Sequence, residues 1–198
     1  MTASITRCWK RRDAWLAGLW LAALALGVIP PAWAGSIDPQ TAELRAVDDG
    51  YTLAAEFAID LGPRLEDAVT RGVPLYFTFE FVLERPRQYW VAEHIVTRVQ
   101  THKLSYSSLT RQYRLSAGAL HQNFATLEEA LRALGRVATQ VIAEKGVLRP
   151  DEKYQAAVRL SLDRSQLPKP FQIDAITDRE WQVEAKTKRW MFQPPEPK

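Results

Sequence analysis

The sequence predicts an α+β domain that is mostly β, either an antiparallel β-sandwich or a curved antiparallel sheet with two helical insertions. Three observations carry this expectation. Val73, Leu75, Phe77, Phe79, Phe81 and Leu83 occupy odd positions while Tyr76, Thr78, Glu80 and Glu84 occupy even ones, the period of two of a strand with one buried face. Asp48-Asp49-Gly50 sits between two alternating apolar runs and signals a hairpin. The stretch from Gln88 to Leu115 is rich in Val, Ile, Thr and Tyr and has no interior Gly or Pro.

Taken in order, the first 34 residues read as an address. Arg7 to Arg12 form a basic region, Ala14 to Ile29 an apolar run, Pro30-Pro31 a helix break, and Ala32-Trp33-Ala34 a small-residue cleavage site. The apolar run falls short of the ~20 residues of a membrane span. A cleaved signal peptide over residues 1–34 is therefore expected, with an uncleaved N-terminal anchor as the alternative. Both place the body in the periplasm, by the general secretory route; the anchored form would stay in the inner membrane. Arg11-Arg12 lacks the apolar context of a twin-arginine signal.

From Gly35 onward, residues 35–190 read as a single β-rich domain and 191–198 as a Pro-rich disordered tail. Thr41 to Val47 and Tyr51 to Leu61 form the first hairpin. Asp60 or Gly62 caps a short helix from Pro63, with Leu65, Ala68 and Val69 on one face and Gly72 past its end. The strand of residues 73–83 follows, then two long strands, Gln88 to Leu104 and Ser105 to Leu115. Ser116-Ala117-Gly118 turns the chain into a strand at Leu120 to Phe124. Thr126 with Glu129 makes a capping box, and Leu127, Leu131, Leu134, Ala138 and Val141 follow at helical spacing. Gly135 weakens that helix, so an end near residue 136 and a short strand at Thr139 to Ala143 are expected. Ala156 to Leu162 is another strand, and Gln172 to Ile176 and Trp181 to Ala185 are edge strands.

Composition narrows function. The chain has 26 Lys+Arg against 23 Asp+Glu, but Arg7, Lys10, Arg11 and Arg12 lie before residue 35 with only Asp13 to oppose them. The rest is formally neutral, without the electrostatic footprint of a nucleic-acid binder. The single cysteine, Cys8, is in the leader, so the body has no disulfide, thiolate ligand or cysteine nucleophile.

His94 and His102 share strand parity but lie about 27 Å apart if extended. Together with His121 they match no metal-ligand spacing, so no metal and no cofactor is expected. Glu80 and Glu84 read as a solvated strand face and Glu128-Glu129 as a helix start. No nucleophile elbow, phosphate loop or nucleotide fingerprint is present, and no catalytic residue is assigned. The Phe77, Phe79 and Phe81 stripe reads as core, with the lining of an apolar ligand cavity as the alternative. Tyr106, Arg111, Tyr113 and Arg114 form the segment richest in interface-type residues, a candidate interaction surface whose bland reading is cross-strand pairing.

The run Leu104 to Leu115, then Leu131-Arg132-Ala133-Leu134-Gly135, then Leu162-Asp163-Arg164-Ser165-Gln166-Leu167-Pro168-Lys169-Pro170-Phe171-Gln172, and Trp181, resembles the bacterial domain-of-unknown-function 4390 family. The resemblance covers nearly all of the chain after the leader. It implies an exported proteobacterial protein of no established activity, with a frequent genomic setting beside a sensor histidine kinase and its response regulator. It supplies no catalytic residues. Physically, the Leu-Pro-Lys-Pro-Phe segment is an extended connector anchored by Phe171, with Lys169 facing water.

The leading expectation is an exported, non-enzymatic binding protein with an envelope protein partner, accessory to a sensor histidine kinase. A carrier of a small apolar ligand or lipid comes second, and requires a cavity of about 300 Å³ or more within the sheet. An envelope hydrolase is third. No nucleic-acid partner is expected, and membrane contact only through an uncleaved leader. N-terminal analysis of exported protein should find Gly35 first, because the Ala34-Gly35 bond follows small residues just after a helix break. A mature chain that keeps Ala14 to Ile29 would establish the anchor instead.

Overall fold

The computed structural model describes residues 35–87, 92–138, 141–144, 146–169, 171 and 181–195. The leader and the strand expected at Gln172 to Ile176 lie outside them. The described elements are β1 (Gly35–Val47), β2 (Gly50–Asp60), α1 (Gly62–Thr70), β3 (Leu75–Arg85), β4 (Glu93–Ser107), β5 (Gln112–Ala117), β6 (Leu120–Phe124), α2 (Leu127–Gly135), β7 (Arg136–Ala138), β8 (Ala143–Glu144), β9 (Tyr154–Leu162), β10 (Val183–Ala185) and β11 (Thr187–Phe192). They form the expected mostly-β α+β fold with two helices. Among the described residues no helix is long and apolar enough to cross a membrane.

Two sheets carry the core. One runs β10-β1-β2-β7, with β8 also on β2; the other runs β11-β9-β3-β4-β5-β6. All pairings are antiparallel except β1 with β10. Alternation in β3 buries Leu75, Phe77, Phe79, Phe81 and Leu83, while β2 buries Tyr51, Leu53, Ala55 and Phe57. These two rows meet. Phe57 and Phe79 make an edge-to-face contact at 6.1 Å, and Tyr51 meets Phe192 of β11 at 5.7 Å. The Phe stripe is therefore core.

The helices follow local chemistry. In α2, the Thr126 hydroxyl accepts the Glu129 N–H at 3.2 Å and the Glu129 carboxylate accepts the Thr126 N–H at 3.4 Å, the expected capping box. In α1 the N-cap position is Leu61, which has no side-chain oxygen to offer; Asp60 instead accepts the Gly62 N–H at 2.9 Å.

Some boundaries differ from expectation. The turn between β4 and β5 is Ser108 to Arg111, not Leu104-Ser105. It contains no Gly or Pro: Arg111 takes the left-handed conformation at φ 53°, and the Ser107 hydroxyl accepts the Thr110 N–H at 3.4 Å. The helix α2 stops at Gly135, as expected near residue 136, and Ala138 and Val141, which continue its apolar spacing, are not helical. A Cβ at residue 135 would lie 2.3 Å from the Phe57 carbonyl oxygen, so the chain runs against β2 there and pairs with it as β7. β11 carries ordered structure to Phe192, two residues into the expected tail. Its Lys188 and Arg189 obscured the apolar period of Trp190 and Phe192.

Phe79 is 1% exposed at the centre of this packing. Phe79→Ala should lower unfolding free energy by about 3–5 kcal/mol, read as a shifted denaturant midpoint. An unchanged midpoint would contradict the inward assignment of the whole odd-numbered row.

Candidate functional site

The site arises from a difference in strand length. β4 has 15 residues and β5 has six. Ser116 and Ala117 lead into a turn that sends the chain back as β6, so β5 covers β4 only from His102 to Ser107. β3 pairs with the other edge of β4 along nearly its whole length. Among the described residues, nothing pairs with the free edge of Glu93–Thr101.

A β-bulge modifies the near end of this edge. Leu83 pairs with Val96 but Glu84 pairs with His94, leaving Ile95 as the extra residue. The bulge resets the side-chain alternation. His102, opposite Phe77, points inward, whereas His94 faces Glu84 with 3.1 Å between Nδ1 and the carboxylate. The sequence parity that put His94 and His102 on one face is thus broken. His121 pairs with Ser116, on the face opposite to the Ala117 and His102 row, so it does not join His102 either. Among the described residues no group of three or more His, Cys, Asp or Glu is placed to hold a metal.

Beside the free edge lies an open cleft of about 910 Å³. One wall is Ile95 to Arg98; the other is Val141 to Glu144 with Val147; Asp48 and Asp49 lie at the hairpin between β1 and β2. The second wall is held by β2: the Ile142 N–H donates to the Tyr51 carbonyl at 2.8 Å, and Gly50 pairs with Glu144. Only glycine fits at residue 50, since a Cβ would sit 2.1 Å from the Ala143 carbonyl oxygen. The Arg98 guanidinium reaches across to the Ile142 carbonyl at 3.4 Å. Among the described residues the cleft thus presents three carboxylates, Asp48, Asp49 and Glu144, against one guanidinium already engaged by the opposite wall.

A charged clasp fixes where β4 begins. Arg85 at the end of β3 grips Glu152 through both carboxylate oxygens, at 2.7 and 2.8 Å, and also bonds Glu93; Arg87 bonds Glu93 as well. The Tyr154 hydroxyl donates to Glu152 at 3.0 Å and accepts the Arg149 N–H at 2.9 Å. The Arg85 guanidinium, followed by Tyr154, holds the Glu152 carboxyl below its ordinary range, and burial pushes the Tyr154 phenol up.

The segment singled out for interaction is divided by the sheet. Tyr106 and Tyr113 are direct cross-strand partners with ring centroids 4.8 Å apart, and the Tyr113 hydroxyl meets Thr70 of α1 at 3.2 Å. They follow the parity of the buried Leu104 and Leu115, on the inner face. Arg114 is on the outer face, donating to Asn123 at 3.1 Å, and Arg111 is exposed in the turn. The four residues do not compose one patch. In the Leu162 to Phe171 motif, Asp163 accepts from the Ser165 N–H and hydroxyl and the Gln166 amide, which hold its carboxyl low. Phe171 packs on Trp181 at 5.2 Å and Lys169 is exposed, so this motif builds a connector.

Arg98, Asp48, Asp49 and Glu144 were not marked by the sequence as a site. Asp48-Asp49 reads fully as a turn, and only the tertiary pairing of β8 with β2 brings Glu144 beside it.

His102 is half-buried and its ring nitrogens have no partner among the described residues; burial depresses its pKa below the ordinary 6.5. The fold favours neutral imidazole, so the unfolded chain binds the proton more readily. Stability should fall as pH drops below about 6.5, with a slope of up to about 1.4 kcal/mol per pH unit. Denaturant titrations between pH 7.5 and 5.5 should show this loss, and His102→Gln should flatten it. Equal loss in both proteins would place the responsible proton elsewhere.

No curated protein and no solved structure matches the chain. The family model described as Domain of unknown function (DUF4390) matches residues 34–191, spanning the bulged strand, the cleft and the connector alike, and the chain belongs to that family.

Proposed function

We propose that this domain is an exported protein-binding module that acts by contact and carries no chemistry of its own. The observation behind the reading is the edge of β4 over Glu93–Thr101, which no described strand pairs with. A row of backbone N–H and C=O groups without partners is a template for a strand from another chain. The stretch has no proline, and Val99 within it is 61% exposed. The signal-peptide pattern supports a periplasmic setting, where an envelope protein would be the partner. The genomic setting that the family resemblance implies makes the periplasmic part of a sensor histidine kinase the first partner to test.

The described ionisable groups support contact over catalysis. Glu84, Arg85, Glu152 and Asp163 all serve pairs or caps that hold strands and turns together. A photo-crosslinking amino acid in place of Val99 should yield a discrete protein adduct in envelope extracts, while the same group in place of Arg189, on β11, should not. Replacement of Arg111 tests the hairpin tip separately. An adduct from position 111 alone would relocate the contact there, and no adduct from position 99 or 111 would overturn the binding-module reading.

A further inference from the structure

We propose that the occupant of the β4 edge is an extended segment of a partner protein that alternates Lys or Arg with aliphatic residues. The inference rests on the binding-module reading and adds the chemistry of the partner. A strand laid antiparallel or parallel along the free edge places successive side chains on opposite faces of the sheet. One set faces inward, over the cleft, and the other faces outward, beside Thr97, Val99 and Thr101.

The two faces differ. On the inner side, Val96 and Arg98 share the face of Leu83 and Phe81, and the cleft they border carries Asp48, Asp49 and Glu144. Arg98 is tied to the Ile142 carbonyl, and among the described lining residues three carboxylates stand against this one cation. The walls between them include Val96, Val141 and Val147, of which Val141 and Val147 are exposed. A Lys or Arg side chain suits such a passage, its methylene stem covering the valines and its charged end reaching the carboxylates. On the outer side, Val99 is exposed and has Glu80 of β3 as its cross-strand partner, so the neighbour that buries its free flank is aliphatic. An acidic segment meets like charge on the inner side. An all-apolar one leaves the carboxylates desolvated without a partner.

Fluorescent eight-residue peptides test this with the full chain. A peptide alternating Lys and Val should bind at least about tenfold more tightly than one alternating Glu and Val. Asp48→Asn combined with Asp49→Asn and Glu144→Gln should bring the two to near parity, and both new turn residues remain compatible with the hairpin. N-methylation of the Lys-Val peptide at every second amide should abolish binding in one register and leave it largely intact in the other, because an edge ladder uses alternate amides. Equal binding of the Lys and Glu peptides, or an unchanged preference in the triple variant, would overturn the proposed partner chemistry while the edge-binding reading stands. Binding of the Lys peptide that ignores N-methylation would overturn strand addition, leaving simple charge attraction. No binding by any peptide would overturn the proposal, and the crosslinking from position 99 would then decide whether the edge binds a folded partner.

Discussion

The structure depends on β3 serving as the central strand with one face wholly apolar. Leu75, Phe77, Phe79, Phe81 and Leu83 lie in one row because side chains alternate at a period of two, and a slip of one residue would turn every ring to solvent. That penalty pins the register of both neighbours, β4 on one side and β9 on the other. It also fixes where the other sheet sits, since Phe57 meets Phe79 edge to face. Each further element then finds its place against a surface already set: α1 and α2 pack on strands that extend from this row, and β11 completes it through β9.

The free edge is a consequence of the same constraint. β4 is held along β3 for nearly its whole length, whereas β5 is limited by the turns on its two sides. The bulge at Ile95 and the clasp of Arg85 with Glu93 and Glu152 then define the near end of the edge, and β5 defines its far end. The result is a bounded stretch with rigid backing. Groups that recognise an extended segment gain from such backing, because the template does not lose freedom when the segment docks.

Much of the framework was legible because it rests on local signals. The Phe row, the Asp-Asp-Gly turn and the Thr126 capping box each express a rule that acts within a few residues. The turn after β4 falls later than expected and was hidden since Ser107 and Arg111 close it without Gly or Pro. That one boundary mattered for function. A turn at Leu104-Ser105 would set residues 94–104 against 105–115 and so cover most of the stretch that β5 leaves unpaired. The bulge likewise has no local signature, and it overturned the shared parity of His94 and His102. The cleft was illegible for a different reason, as its acidic residues come from a turn and from β8, which meet only through β2.

An open edge invites self-association, and this one carries features that resist it. The bulge at Ile95 interrupts the regular ladder, and Arg98 is a charged residue on the inward face, both devices that natural sheets use against edge-to-edge pairing. Two copies joined along β4 would be related by a two-fold axis, so each would present its own acidic cleft to the other. Like charges so placed disfavour the pair. On the proposed reading the edge would be selective by what it repels as well as by what it pairs, the backbone offering hydrogen bonds to an extended chain and the carboxylates of Asp48, Asp49 and Glu144 setting which chains fit.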